Sequence, residues 1–372
     1  MIGVNSSFGR KTTLAYITLD YTSTSAPARQ HVSRGLNGPT DPLKESIAWS
    51  CGYVIQALMA KTTSVASTPE TIQKWCQRFT GDDGGHRMTT KEYEAIRAAP
   101  TPALCSSFQQ NGALNRYTNI HLIEQTRVLL TDGLQPDYIH ANWVDGYKTQ
   151  NAYILTQAPT DVSVKDYWRM IWQEKAQVVV CLTSLKEKGA VKAESYFPTS
   201  TETPFRAGPL RLILMAVKEF PPRRVTVLHL KLYCWFGRAG KERDITMVFY
   251  GDWPDRAVPP NAAEFVDLLA AVESLRETAL RSKKHQSKKV PVVVNCSAGV
   301  GRSATFVACQ IEIERLRETG TVDPQGTVRR LRNQRCGAVQ NYVQYTFICR
   351  VLVEAARRYS YPKDGKVSPT ST

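Results

Sequence analysis

A short apolar run that ends at a cysteine, followed by five mostly small residues and an arginine, constrains this chain more than any other feature. The stretch at 289–306 reads KVPVVVNCSAGVGRSATF. Its residues 290–294, β-branched apart from Pro291, read as a buried strand running to the carboxyl edge of a sheet. Residues 303–316 then suit a helix. A strand, a glycine-containing turn and a helix start together point several backbone N–H groups inward, and the first helical turn adds unpaired donors and a positive dipole end. That concavity suits a dianion. A cysteine placed in it has its thiolate favoured over its thiol, as a sulfur nucleophile requires. Arg302 completes the ring with a planar fork able to grip two phosphate oxygens. The plainer alternative makes Cys296 a buried structural thiol in a glycine turn.

The string resembles the signature loop of the cysteine-dependent protein tyrosine phosphatases, in which a cysteine, five residues and an arginine precede serine or threonine. Cys296, Arg302 and Ser303 match. The resemblance implies an α/β fold with a central, highly twisted mixed β-sheet flanked by helices. It also implies hydrolysis of phosphotyrosine in proteins through a cysteinyl-phosphate intermediate, with no cofactor and no metal. Ser297, Ala298, Gly299, Val300 and Gly301 would bind the phosphoryl group, and the Ser303 hydroxyl would bond the sulfur.

Other blocks arrive in the order and spacing of that family. NRYTNI at 115–120 resembles its phosphotyrosine-recognition loop, with Tyr117 as the aromatic wall that deepens the pocket. DYIHANWVDGY at 137–147 and AYILTQAPT at 152–160 resemble its first pair of strands, and DYWRMIWQE at 166–174 the helix after them. QVVVCLTSL at 177–185 is a central strand candidate, and a period-two apolar pattern continues to FYGDWPD. Asp255 resembles the general acid of a loop stiffened by Trp253 and Pro254. Glu187 resembles the carboxylate that aligns the signature arginine, and Lys192 the lysine a few residues on. Gln340 and Gln344 resemble the pair that aims water in the second step, a task suited to an uncharged amide that both donates and accepts.

Two residues depart from the pattern. Asn295 stands where the family has histidine, and Asn119 where it usually has aspartate. Asparagine keeps hydrogen bonds in both places but carries no charge. With the other catalytic side chains retained, the expectation is a working but slowed phosphatase; the alternative is a catalytically inactive module that binds phosphotyrosine.

The 372 residues, 42% hydrophobic and 22% charged, fit a sizeable soluble core. The formal net charge of +15 suits an acidic or phosphorylated partner, though a merely solvated basic surface has the same charge. RSKKHQSKK at 281–289 reads first as a solvated loop; contact with a membrane surface is the lesser reading, and no specific nucleic-acid partner is expected. The nine cysteines form no CxxC pair, and an odd number suggests a reducing, cytoplasmic setting. No apolar stretch of membrane-spanning length occurs, and the first residues lack the apolar core of a secretory signal. The expected division is a poorly ordered extension over 1–67, a phosphatase domain over 68–362 and a disordered tail over 363–372.

Overall fold

The computed structural model describes residues 67–81, 83–99, 105–220, 225–234, 240–251, 253–281 and 290–359. The expected N-terminal extension, save Ser67, the expected tail and nearly all of the basic run at 281–289 lie outside the described residues.

Nine strands form one mixed sheet. They are β1 (Arg127–Leu129), β2 (Tyr138–Val144), β3 (Tyr153–Gln157), β4 (Val178–Cys181), β5 (Phe205–Ala207), β6 (Leu210–Phe220), β7 (Val225–Cys234), β8 (Lys241–Phe249) and β9 (Val292–Cys296). Their spatial order is β1-β2-β3-β9-β4-β8-β7-β6-β5. The strand expected to carry the nucleophile is thus central, parallel to both β3 and β4. Every residue of β3, β4 and β9 is buried. Strands covered on both faces read as unbroken apolar runs, which is why these were visible in the sequence. In β6 and β7, toward the sheet's far edge, burial alternates along the strand.

Among the described residues eight helices flank the sheet: α1 (Ile72–Gly81), α2 (His86–Arg97), α3 (Ser106–Gln110), α4 (Val164–Gln173), α5 (Ala262–Arg281), α6 (Arg302–Thr319), α7 (Pro324–Gln334) and α8 (Tyr342–Arg358). Their packing divides β9 by parity. Val292, Val294 and Cys296 join the core formed with α5, α6 and α8, whereas Val293 joins the core of the opposite face with Trp168 and Ile171 of α4. Asn295 and Cys296 therefore point to opposite faces, as successive strand residues must.

The helix ends follow local chemistry. Gly320, at φ +67°, closes α6 in the left-handed conformation and returns its N–H to Leu316. Asp323 caps α7 by accepting from Gly326 N, with Pro324 in the first turn. Asn341 caps α8 by accepting from Gln344 N. No helix among the described residues is long and apolar enough to cross a membrane.

Candidate active site

The loop from Cys296 to Arg302 lies where β9 passes into α6, at the carboxyl edge of the parallel strands. Gly299, at φ +70°, turns it; a Cβ there would meet Thr156 O at 2.2 Å, so only glycine fits. The Cys296 sulfur is buried and accepts from Gly299 N at 3.2 Å. Burial alone opposes the thiolate. The Arg302 guanidinium, the Ser303 hydroxyl and backbone N–H, and the Gly299 N–H outweigh it, so Cys296 titrates below the ordinary thiol value. Ser303 Oγ is buried and makes no hydrogen bond away from the sulfur.

Arg302 is held from two sides. Its Nη1 donates to Glu187 Oε1 at 2.5 Å and to Trp253 O at 2.7 Å. Thr183 Oγ1 donates to the same glutamate oxygen at 2.7 Å. The other terminal nitrogen, Nη2, is buried with no hydrogen-bond partner, and its nearest carboxylate oxygen, on Asp255, is 3.7 Å away. A buried donor without a partner costs about 1–3 kcal/mol, so this nitrogen gains by meeting any acceptor that enters the loop.

The segment bearing Asp255 lies against the loop. Trp253 is fully buried against Phe265 and Phe347, and its indole N–H donates to Ala257 O. Asn341 reaches across from the α8 cap to donate to Arg256 O at 2.9 Å. Asp255 accepts from Lys192 Nζ at 2.9 Å. Partial burial works against its charge, but Lys192, Arg302 and Arg256 prevail and hold the carboxyl below its usual range. The same contact raises the Lys192 ammonium.

Tyr117 bonds Ser297 Oγ at 2.8 Å, and Ser297 donates on to Lys192 O at 3.0 Å. Three segments that are far apart in sequence thus meet through one serine. Gln344 Oε1 accepts from Gln340 N, and both glutamine amides lie about 3 Å from where a Cβ on Gly301 would project. Val300 is fully buried, with its carbonyl accepting from Val339 N. Ala298 and Gly299 offer their carbonyls to the Arg335 guanidinium. Asn119 lies exposed two residues beyond Tyr117. Every residue expected in the site is therefore grouped at this edge except Asn119, for which no contact with the rest is seen.

Asn295 does not touch the sulfur. Its Oδ1 accepts from Tyr167 OH at 2.8 Å, and its Nδ2 donates to Tyr196 OH at 3.2 Å and to Cys181 Sγ at 3.6 Å. It sits in a buried, uncharged network on the α4 face. The asparagine that stands where the family has histidine keeps hydrogen bonds, as expected, and makes them on the side of the strand away from the sulfur.

Several residues that support the site escaped the sequence reading. Arg335 is fully buried behind the loop and donates to Gly299 O, Ala298 O and Asn142 Oδ1 at 3.1, 3.0 and 2.8 Å. Burial lowers it to about 10. His140, beside it, is pushed down to about 3 by burial and by that guanidinium, and so stays neutral. Arg116 fixes the Tyr117 segment through Ala158 O and Pro159 O, and its backbone N–H donates to Gln157. RNQRCGAV and NRYTNI contain these arginines, but nothing in either string separates a buried brace from a surface charge.

A family model described as "Protein-tyrosine phosphatase" matches residues 111–354. Tyrosine-protein phosphatase non-receptor type 9 of Rattus norvegicus is 35% identical over 284 residues, covering 74% of this chain and 47% of that protein. Receptor-type tyrosine-protein phosphatase F of Homo sapiens is 35% identical over 287 residues, covering 76% of this chain and 14% of that protein. Receptor-type tyrosine-protein phosphatase S of Gallus gallus is 31% identical over 309 residues, covering 81% and 19%. The chain spans about half the length of its non-receptor relative and a smaller share of the receptor-type ones. With the family's model aligned over most of the chain and its signature loop built as described, this protein belongs to the protein-tyrosine phosphatase family.

Proposed function

We propose that this chain hydrolyses phosphotyrosine in proteins through a cysteinyl-phosphate intermediate. The observation that carries the reading is the buried, unpartnered Arg302 Nη2 beside a sulfur whose thiolate is favoured. The loop amides and that nitrogen hold the phosphoryl oxygens. The Cys296 thiolate attacks phosphorus, an S–P bond forms, the P–O bond to the phenol breaks, and the leaving oxygen takes a proton from Asp255. In the free site Lys192 and Arg302 keep Asp255 ionised. A bound dianion neutralises Arg302 and raises the proton affinity of the carboxyl, so the acid form arrives with substrate. In the second step Gln340 and Gln344 hold a water, whose oxygen bonds to phosphorus as Asp255 takes its proton; the S–P bond breaks, inorganic phosphate is released, and the Ser303 hydroxyl eases departure of the thiolate. Tyr117 sets pocket depth and with it the preference for tyrosine over shorter phosphorylated side chains.

Asn295 and Asn119 favour a second reading, a module that binds phosphotyrosine without turnover. Against it stands the network around Asn295, in which both ends of the amide are bonded, so the strand is supported without a charge. Eight free cysteines among the described residues accord with a reducing, cytoplasmic setting. The phosphatase domain extends over about 68–362 in this reading.

The test is phosphate release from a small aryl phosphate by purified protein between about pH 5 and pH 8, with Cys296→Ser alongside. The proposal expects loss of at least about 10³-fold in the variant. Wild type no faster than the variant, with phosphopeptide binding intact, would establish the binding module instead.

A further inference from the structure

The hairpin joining β5 to β6 lies at the opposite end of the strands from Cys296, on the outermost pair of the sheet. Arg206 and Arg211 stand directly opposite each other across it. Like charges in that position repel, so a sheet with no use for them is more stable without them. Neither arginine forms an ion pair or a hydrogen bond with any described residue. Arg211 Nε is moreover buried without a partner, a donor with no acceptor. With Gly208, Pro209 and Leu210 the two arginines line an open surface groove of about 420 Å³, in which Arg206 is exposed and Arg211 half-buried. The base of Lys165, in the first turn of α4, packs beside the turn; a Cβ on Gly208 would lie 3.5 Å from the Lys165 Cβ.

Two neighbouring carboxylates have basic partners of their own. The cross-strand line continues from Arg211 to Tyr233 and then to Glu242, and Glu242 accepts from Lys231 at 2.8 Å. Asp166, next to Lys165, is bonded to Arg169 at 2.7 Å. The groove thus presents two guanidinium forks that have no ion-pair partner among the described residues. One arginine fork matches a carboxylate or a phosphate equally, but a phosphoryl dianion has oxygens and charge enough for two forks at once.

We infer that the β5–β6 hairpin is a second oxyanion site, built for a phosphate monoester and separate from the catalytic loop. Five strand spacings of roughly 4.8 Å, about 24 Å in all, separate β5 from β9, so the two sites can be filled together. The phosphoryl group could belong to a soluble molecule or to a lipid headgroup; both present the same dianion.

The test follows the Arg206 and Arg211 side-chain N–H resonances during titration of the full chain with inorganic phosphate at low ionic strength. The inference expects both to shift and saturate together. In Arg206→Glu the Arg211 shift should be lost or weakened at least about tenfold, while the catalytic-loop shifts remain. The same variant should unfold at a higher temperature than wild type in phosphate-free buffer, because it replaces repulsion with attraction. The milder Arg206→Gln should lose binding with an unchanged spectrum elsewhere. Wild-type affinity retained in either variant, or no saturable shift in wild type, would overturn the inference. Vesicles of phosphatidylcholine with and without a phosphatidylinositol phosphate separate the two sources. Binding of those vesicles that depends on Arg206 identifies a lipid headgroup, and binding of inositol phosphate alone identifies a soluble ligand. If the catalytic reading failed but these shifts appeared, the second site would stand.

Discussion

Two side chains set the pH behaviour expected of the site. Cys296 must be a thiolate, and its pKa lies below the ordinary value, so activity is present at neutral pH and is lost as pH falls through the lowered value. Asp255 must be protonated in the complex, so activity is lost as pH rises past its value there. A bell-shaped kcat is the consequence, because kcat reports the groups as they stand in the complex. Asp255→Asn should lower kcat by about 10²–10⁴-fold and flatten the alkaline limb, and steady-state rates across pH check both. Asn295→His should move the acid limb to lower pH by placing an ionisable ring behind the loop. Asn295→Leu orphans the Tyr167 hydroxyl and should cost about 1–3 kcal/mol in denaturant unfolding. A stability equal to wild type would mean that the network does not support β9.

At the scale of elements, the junction of β9 and α6 was legible and its scaffold was not. An apolar run ending in a nucleophile and a glycine turn has few structural solutions, and Asp255, Glu187 and the two glutamines follow from their place in the chain. Arg335 follows α7 in a polar string that looks solvent-facing. Only the packing of α7 against β2 buries it and turns it toward the carbonyls of the loop. The partners of Asn295 were not legible for a related reason: strand parity sends it away from Cys296, but Tyr167 and Tyr196 come from elsewhere in the chain. Gly299→Ala would drive a Cβ into Thr156 O and should abolish turnover while leaving the far-UV spectrum unchanged. Arg335→Met leaves several buried acceptors without a donor, and calorimetry should register a loss of at least about 2 kcal/mol.

The whole molecule places its chemistry at one edge of a central parallel segment and leaves antiparallel strands to reach outward. That division was readable from the sequence, because doubly covered strands lose the period-two pattern that β6 and β7 keep. A net charge of +15 acts at longer range. It should speed capture of acidic phosphopeptides, so their kcat/KM should fall by up to about tenfold between low and high salt while that of a small aryl phosphate changes less. Equal salt dependence would confine the effect to the pocket. The most direct test of the account is to quench a reaction with an aryl phosphate in mid-turnover and search the digested protein for phosphate on Cys296. The account predicts a phosphorylated Cys296 that accumulates further in Gln340→Ala and is absent from Cys296→Ser. Steady turnover with no phosphate on that sulfur would contradict it.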